Sequence, residues 1–186
     1  MDDNDPTPLI ARRLRDERAR RGCTLDDLAQ RAGVSKAMLS KLERCEASPT
    51  AALLGRISGA LGMTLSTLLA ADDAPGARLV RHADQPTWRD PDTGYLRRQV
   101  SPLSDLPVQL IEVEFPPGAA VAYPAAAFAF IRQALWVMAG TLEFAEGTQL
   151  HHLRPGDCLE LGMAADCVFR NPGRTTCRYL VAVVKR

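Results

Sequence analysis

The sequence has no run of about 18 apolar residues, so nothing in it reads as a membrane-spanning helix. Its first residues, MDDNDPTP, are acidic and have no apolar core, so a secretory leader is not expected there. The five cysteines (Cys23, Cys45, Cys158, Cys167, Cys177) are odd in number and have no CxxC spacing. That excludes a plain disulfide framework and the usual zinc modules, and suits reduced thiols in a cytoplasmic protein. There are only three histidines, His82, His151 and His152. The adjacent pair would face opposite sides of a strand, so it does not form one metal site. No metal and no cofactor is expected.

Net charge is also scarce, at +1 over 186 residues, but it is unevenly spread. Residues 9–56 carry eleven Arg and Lys against six Asp and Glu, a balance of +5, while residues 71–186 balance at −1. A basic first third points to a polyanionic partner.

Gly and Pro divide the first third into five helical segments. Thr7-Pro8 can open the first, which ends at Gly22 and has Ile10, Leu14 and Arg18 on one face. Thr24 with Asp27 forms a capping-box-like start to the second, carrying Leu28, Ala29 and Ala32 up to Gly33. Ser35 caps a third, with Leu39 and Leu42 on its buried side. Ser48-Pro49 starts a fourth, with the stripe Leu53, Leu54, Ile57 and Leu61, and Thr64 opens a short fifth. The second and third helices, joined around Gly33, have helix-turn-helix spacing, and in that motif the second helix of the pair enters the major groove. Lys36, Ala37, Ser40, Lys41 and Arg44 share the third helix's face opposite Leu39 and Leu42. Small and cationic side chains suit a groove-facing surface. A solvated helix face is the competing reading. Arg18 and Glu43, opposite charges placed on two apolar faces, are expected to pair partly buried between the first and third helices.

Segments LRDERARRG, TLDDLAQRAGVSKAMLSKLE, ASPT and ALGMTLSTLL, from Leu14 to Leu69, resemble the Xre-type (phage lambda-repressor-like) helix-turn-helix family. The resemblance implies that Lys36, Ala37, Ser40 and Lys41 face bases and that Thr24, Ser35 and Arg44 approach phosphates. Where that family usually has Gly after the recognition helix, this chain has Cys45, which would be strained in a left-handed conformation.

Beyond Leu69, Ala70–Ala83 reads as an exposed linker, and from Gln85 strand-like runs alternate with Pro/Gly turns: 107–115, 133–140 running into TLEF, 149–153, 167–171 and 177–184. This spacing predicts an all-β sandwich or barrel. The order PPGA, LWVMAGTLEF, LRPGDCLEL, VFRNPG resembles the cupin family, a jelly-roll barrel, but its metal motifs are altered. The positions expected to hold His, His, Glu and His carry Ala126, Phe128, Gln133 and Cys167. Tyr123, Gln133 and Cys167 are candidates to line a barrel pocket for an organic ligand. The alternative is a barrel filled by Phe128, Phe130, Leu135, Val137 and Phe169. Cys167 becomes a redox candidate if Arg132 or Arg170 lies beside it. Trp136, on the opposite strand face from Gln133, is a candidate anchor for a dimer.

The sequence therefore divides into a tail (1–8), an all-α five-helix DNA-binding domain with a helix-turn-helix (9–71), a linker (72–84) and an all-β cupin jelly-roll barrel (85–186). An Xre-type domain followed by a metal-free cupin resembles a class of bacterial transcription regulators, some of which respond to small metabolites. The implied protein is a non-enzymatic, cytoplasmic homodimer, a repressor or activator, that binds a double-stranded DNA operator and a small effector. A constitutive DNA-binding dimer and a cupin enzyme fused to a DNA-binding domain are the alternatives.

Overall fold

The computed structural model describes residues 6–69, 78–102, 104 and 106–185. Five helices come first: α1 (Thr7–Arg20), α2 (Leu25–Ala32), α3 (Lys36–Glu43), α4 (Ala51–Ala60) and α5 (Leu65–Leu69). The local caps set these limits. Thr24 accepts a hydrogen bond from the Asp27 amide at 3.1 Å, and the Thr24 amide donates to the Asp27 carboxylate at 2.9 Å, which closes a capping box. Hydrogen bonds from the Thr24 hydroxyl and amide hold the Asp27 carboxyl below its usual range. Ser35 accepts from the Met38 amide at 3.1 Å, and Gly33 ends α2 at φ +63°. The expected stripes are the buried ones: Ile10 and Leu14, Leu28 with Ala29 and Ala32, Leu39 and Leu42, and Leu53, Leu54, Ile57 and Leu61.

Two limits differ from the sequence reading. Thr7 and Pro8 belong to α1 rather than to a tail, because Pro6 occupies the N-cap and Thr7 is buried. The cap of α4 is Thr50, which accepts from the Leu53 amide at 3.3 Å, rather than Ser48. Pro49 therefore lies before the cap instead of at the first helical position. The expected linker lies outside the described residues as far as 77, and its remainder includes a 3₁₀ turn, His82–Asp84.

Ten strands follow: β1 (Thr87–Arg89), β2 (Leu96–Gln99), β3 (Val108–Phe115), β4 (Ala120–Tyr123), β5 (Ile131–Ala139), β6 (Leu142–Glu146), β7 (Gln149–Leu153), β8 (Cys158–Glu160), β9 (Cys167–Arg170) and β10 (Cys177–Lys185). They form two antiparallel sheets, ordered β1-β2-β3-β10-β5-β8 and β4-β9-β6-β7. Leaving out β1 and β2, this interleaved order is that of a jelly roll, two Greek keys folded face to face. Alternation along β3, β5 and β10 turns Ile111, Val113, Phe115, Leu135, Val137, Tyr179 and Val181 inward, where they are buried. Asn171 is fully buried and satisfied. Its amide nitrogen donates to the Phe115 and Thr175 carbonyls at 2.8 and 2.9 Å, and its oxygen accepts from the Gly173 amide at 2.9 Å. It therefore ties the NPG turn to the end of β3. Strands β1, β2, β4 and β8 were not foreseen, since three or four residues give little periodicity to read.

Helix α4 is buried on nearly every side, as a helix enclosed between two bodies must be. One face packs in the helical bundle and the other seats on the barrel, against β4 and a 3₁₀ turn (Ala125–Phe128). Close approach requires glycine. A Cβ on Gly55 would enter the Tyr123 ring, and one on Gly59 would lie 2.8–2.9 Å from the Ala126 backbone. The N-terminus of α4 is capped by the barrel itself. Buried Asp90 accepts the Ala51 amide at 2.8 Å with one oxygen and the Thr93 amide at 2.9 Å with the other. A carboxylate there also faces the positive end of the helix dipole.

Removing this clamp in Asp90→Ala leaves a buried amide without an acceptor and should cost about 2–3 kcal/mol. The thermal midpoint should then fall by roughly 5–10 °C in calorimetry; an unchanged midpoint would show that the clamp contributes nothing. The opposite change is expected after α3. There the Cys45 amide donates to the Leu42 carbonyl and the Glu46 amide to the Lys41 carbonyl, a Schellman closure with a non-glycine residue at φ 59°. Cys45→Gly relieves that strain and should add about 1 kcal/mol, read as a rise of about 2–4 °C in the same measurement.

Candidate nucleic-acid interface and barrel cavity

The position of α3 is set by its buried side. Leu39 and Leu42 enter the bundle, and Glu43 is fastened to α1 by Arg18, Nε to Oε1 at 2.6 Å and Nη2 to Oε2 at 2.8 Å. The third arm of the guanidinium donates to the Cys23 carbonyl at 2.9 Å. This is the pair expected from the sequence, and its fork-to-fork geometry fixes direction as well as distance.

With that side occupied, Lys36, Ala37, Met38, Lys41 and Arg44 are exposed, Ser40 is half-buried, and Ser35 stands exposed at the helix start. Thr24, at the start of α2, is exposed and engaged with Asp27. Six of the seven residues singled out in the sequence thus lie on or at the start of α2 and α3, and the seventh, Arg44, is the C-cap of α3. Two carboxylates not foreseen also belong here. Asp26 pairs with Lys36 at 2.7 Å, and Glu46 grips Arg44 with both oxygens, at 2.7 and 2.8 Å. The hydrogen bond to Arg44 holds the Glu46 carboxyl below its usual range. Both pairs are solvent-exposed, so water and salt screen them. Asp26 was legible only as a first-turn helix acid; its reach to Lys36 depends on the turn between the helices. Exposed Met38 adds an apolar patch to the same surface.

The second feature is a partly open cavity of about 660 Å³, mouth included, between the barrel and helices α4–α5. Tyr123 and Gln133 line it, as expected. Cys167 does not: it sits in a smaller pocket behind, which it shares with Gln133. Its sulfur donates to the Ala165 carbonyl at 3.3 Å, and burial, with Glu146 and Asp166 nearby, pushes the thiol up to about 12. Arg132 and Arg170 point to the outer strand faces, Arg132 pairing with Glu160 at 3.3 Å, so neither favours a Cys167 thiolate. Of the residues that would fill the barrel, Leu135, Val137 and Phe169 do so, Phe128 is half-buried, and Phe130 is exposed against the Gly62 turn.

Sequence reasoning missed Tyr179 of β10 and the lining residues brought in from outside the eight jelly-roll strands. Arg97 and Tyr95, from β2 and the turn before it, and Ser58, Thr64 and Ser66, from the helices, all line the cavity. The Tyr95 and Tyr123 hydroxyls are hydrogen-bonded at 3.0 Å. Arg97 is in register with inward-facing Val113, and its guanidinium donates to the Ser66 hydroxyl. At the four altered cupin positions, Ala126 and Phe128 offer no donor atom. Among the described residues no cluster of three or more His, Cys, Asp or Glu could hold a metal.

Comparison with known proteins places the helical part in a family. Residues 14–68 match the HTH_3 helix-turn-helix family model. The HTH-type transcriptional regulator SutR of Escherichia coli is 43% identical over 61 residues, which make up 33% of this chain and 34% of SutR. The HTH-type transcriptional regulator SinR of Bacillus subtilis is 36% identical over 62 residues, 33% of this chain and 56% of SinR. The chain thus spans only a third to somewhat over half the length of these curated relatives. The solved structure of an HTH_3 family transcriptional regulator from Vibrio cholerae covers 97% of both chains with a TM-score of 0.79 at 24% identity, which shows a shared overall fold. Residues 14–68 are a helix-turn-helix domain of the HTH_3 family, joined here to a cupin-like jelly-roll barrel.

Proposed function

We propose that this chain is a sequence-specific DNA-binding transcription regulator, that its barrel joins two copies into a homodimer, and that its cavity admits a small effector. The observation that carries the reading is α3 itself: capped by Ser35, anchored by Leu39, Leu42 and Arg18–Glu43, and exposing Lys36, Ala37, Lys41 and Arg44 together. A helix held on one side and cationic on the other is what a major-groove reader requires. The names of the relatives point the same way.

In this reading Lys36, Ala37, Ser40 and Lys41 face base edges, and Thr24, Ser35 and Arg44 meet phosphates. DNA takes over the cations that Asp26 and Glu46 hold in the free protein, and exposed pairs give them up at little cost. Lys36 lies in the first turn of α3, so it is assigned to bases, whereas Arg44 lies past the far end. Lys36→Ala should cost about 1–3 kcal/mol and relax preference at one or two base pairs. Arg44→Ala should weaken all sequences alike and reduce the salt slope by about one. Binding of both variants to matched and mismatched operators over a salt series checks this. The assignment is reversed if Lys36→Ala weakens every sequence equally while Arg44→Ala alters preference.

The proposed dimer contact is the outer face of the larger sheet. Trp136 is 48% exposed there, with Leu180 and Cys158 across from it and Ala182 between Leu110 and Ala134. The pairs Arg178–Glu112 and Arg132–Glu160 lie at its sides. An exposed tryptophan in an apolar field with charged edges resembles an interface core and rim, and a second copy offers the matching face. Trp136→Glu should give a monomer in sedimentation and lose the tight binding to two half-sites about one helical turn apart. A variant that stays dimeric moves the contact elsewhere.

A further inference from the structure

We infer that the cavity takes a small organic carboxylate with a short apolar body, gripped by Arg97, and that the bound carboxylate fastens the helix-turn-helix domain to the barrel. The inference rests on the effector reading above and adds to it the ligand's chemical class and its place between the two domains.

The charge of the lining is the first argument. Arg97 is the only formally charged residue in the described lining, and among the described residues no carboxylate pairs with it. Among the described residues its hydrogen-bond partner is the neutral hydroxyl of Ser66. Three phenols, Tyr95, Tyr123 and Tyr179, share the lining. Burial pushes all three up, so they remain protonated donors and do not neutralise the guanidinium. Arg97 is half-buried on the cavity wall, where a cation without a carboxylate partner is open to an anionic ligand, and its planar fork matches a carboxylate. The remaining lining sets the rest of the ligand. Val113, Val121, Phe169 and Val181 form an apolar wall, with Gln133 as a further polar contact. A small molecule with one anionic end and an aliphatic body satisfies both halves.

The second argument is position. Gly55 and Ser58 of α4, Thr64 before α5, and Leu65 and Ser66 of α5 close one side of the cavity. Tyr123 touches both worlds: its ring lies against Gly55, and its hydroxyl bonds Tyr95 beside Arg97. A ligand on Arg97 therefore contacts residues of both domains, and binding favours the docked arrangement over any in which α4 has left its seat.

The test uses the full chain with butyrate, isovalerate and leucine, each beside its primary amide, followed by thermal unfolding and backbone hydrogen exchange. At least one acid should raise the midpoint in a concentration-dependent way while its amide does not. Arg97→Gln should weaken that acid by about thirtyfold or more, and Arg97→Lys by less. The same acid should slow exchange at both Gly55–Gly59 and Arg97–Gln99. The inference falls if no acid stabilises the chain, if an amide serves as well as its acid, if Arg97→Gln binds like the original, or if protection stays within the strands. The acid–amide comparison on the unmodified chain decides the ligand class even where Arg97→Gln does not fold. Operator binding without ligand, measured in parallel, separates the two levels: its loss overturns the proposed function, whereas intact DNA binding beside a failed ligand series overturns only this inference.

Discussion

Helix α4 has to be apolar toward the helical bundle and thin toward the barrel, and the rest of the molecule is arranged around that constraint. Leu53, Leu54 and Ile57, continued by Leu61 at the C-cap, give it a bundle face, while Ala51, Gly55, Ser58 and Gly59 give it a face with almost no side chain. The two sets lie on one ten-residue helix, so neither domain is finished without the other. Gly within a helix costs about 1 kcal/mol relative to Ala. Two of them in ten residues are tolerable because Tyr123 and the Ala125–Phe128 turn occupy the space a side chain would have taken. Asp90 then caps the same helix from the barrel side, so the seat is both steric and directional.

This explains which parts of the structure were legible in the sequence. The capping box of Thr24 and Asp27, the Ser35 cap and the leucine stripes are local, and local chemistry survives in any single sequence. Arg18–Glu43 was legible because two charges interrupt two apolar stripes, and burial then demands a partner. The cupin-like order of turns was legible because Pro and Gly punctuate it. Asp90 was not, since an acid in RDPDTG reads as an ordinary turn residue and its target, Ala51, is 39 positions away. Arg97 was hidden for a related reason. The strand LRRQ is short and polar, and only its register with Val113 shows that the first arginine points inward. Cys167 was misplaced by counting motif positions. The residue does sit on an inward strand face, but the wall it belongs to encloses a smaller pocket.

The charges sort by burial rather than by number. Arg18–Glu43 is bidentate and mostly enclosed, and it orients a helix. Lys36–Asp26 and Arg44–Glu46 are comparable in length but lie in water, where screening leaves them little to contribute. That contrast suits a DNA reader. Under the proposed function, cations that meet DNA must be available, so their partners in the free protein should be weak, while the pair that aims the helix should not open when salt rises. A total charge of only +1 is compatible with this, because the field that matters is the one over α3.

The internal ties of the helical domain also decide what kind of motion can link the two halves. Arg18–Glu43 joins α1 to α3, and Arg31 of α2 donates to the Ala60 carbonyl at the end of α4 at 2.8 Å. With a shared leucine core between them, these helices shift together. The boundary between the two halves is the seat of α4 on the barrel, where the glycine contacts, the Asp90 cap and the Arg97–Ser66 hydrogen bond meet. In the proposed dimer, a change in the orientation of α3 relative to the second copy would act across that seat. Linkage limits the size of the effect: a small molecule can bias the seat only by the difference in its affinity for docked and undocked forms, typically about 1–3 kcal/mol. Reciprocity adds that DNA must change the affinity for the same molecule by the same factor. A cavity whose walls come from both domains is the arrangement in which that difference can be large, because undocking removes part of the binding site itself.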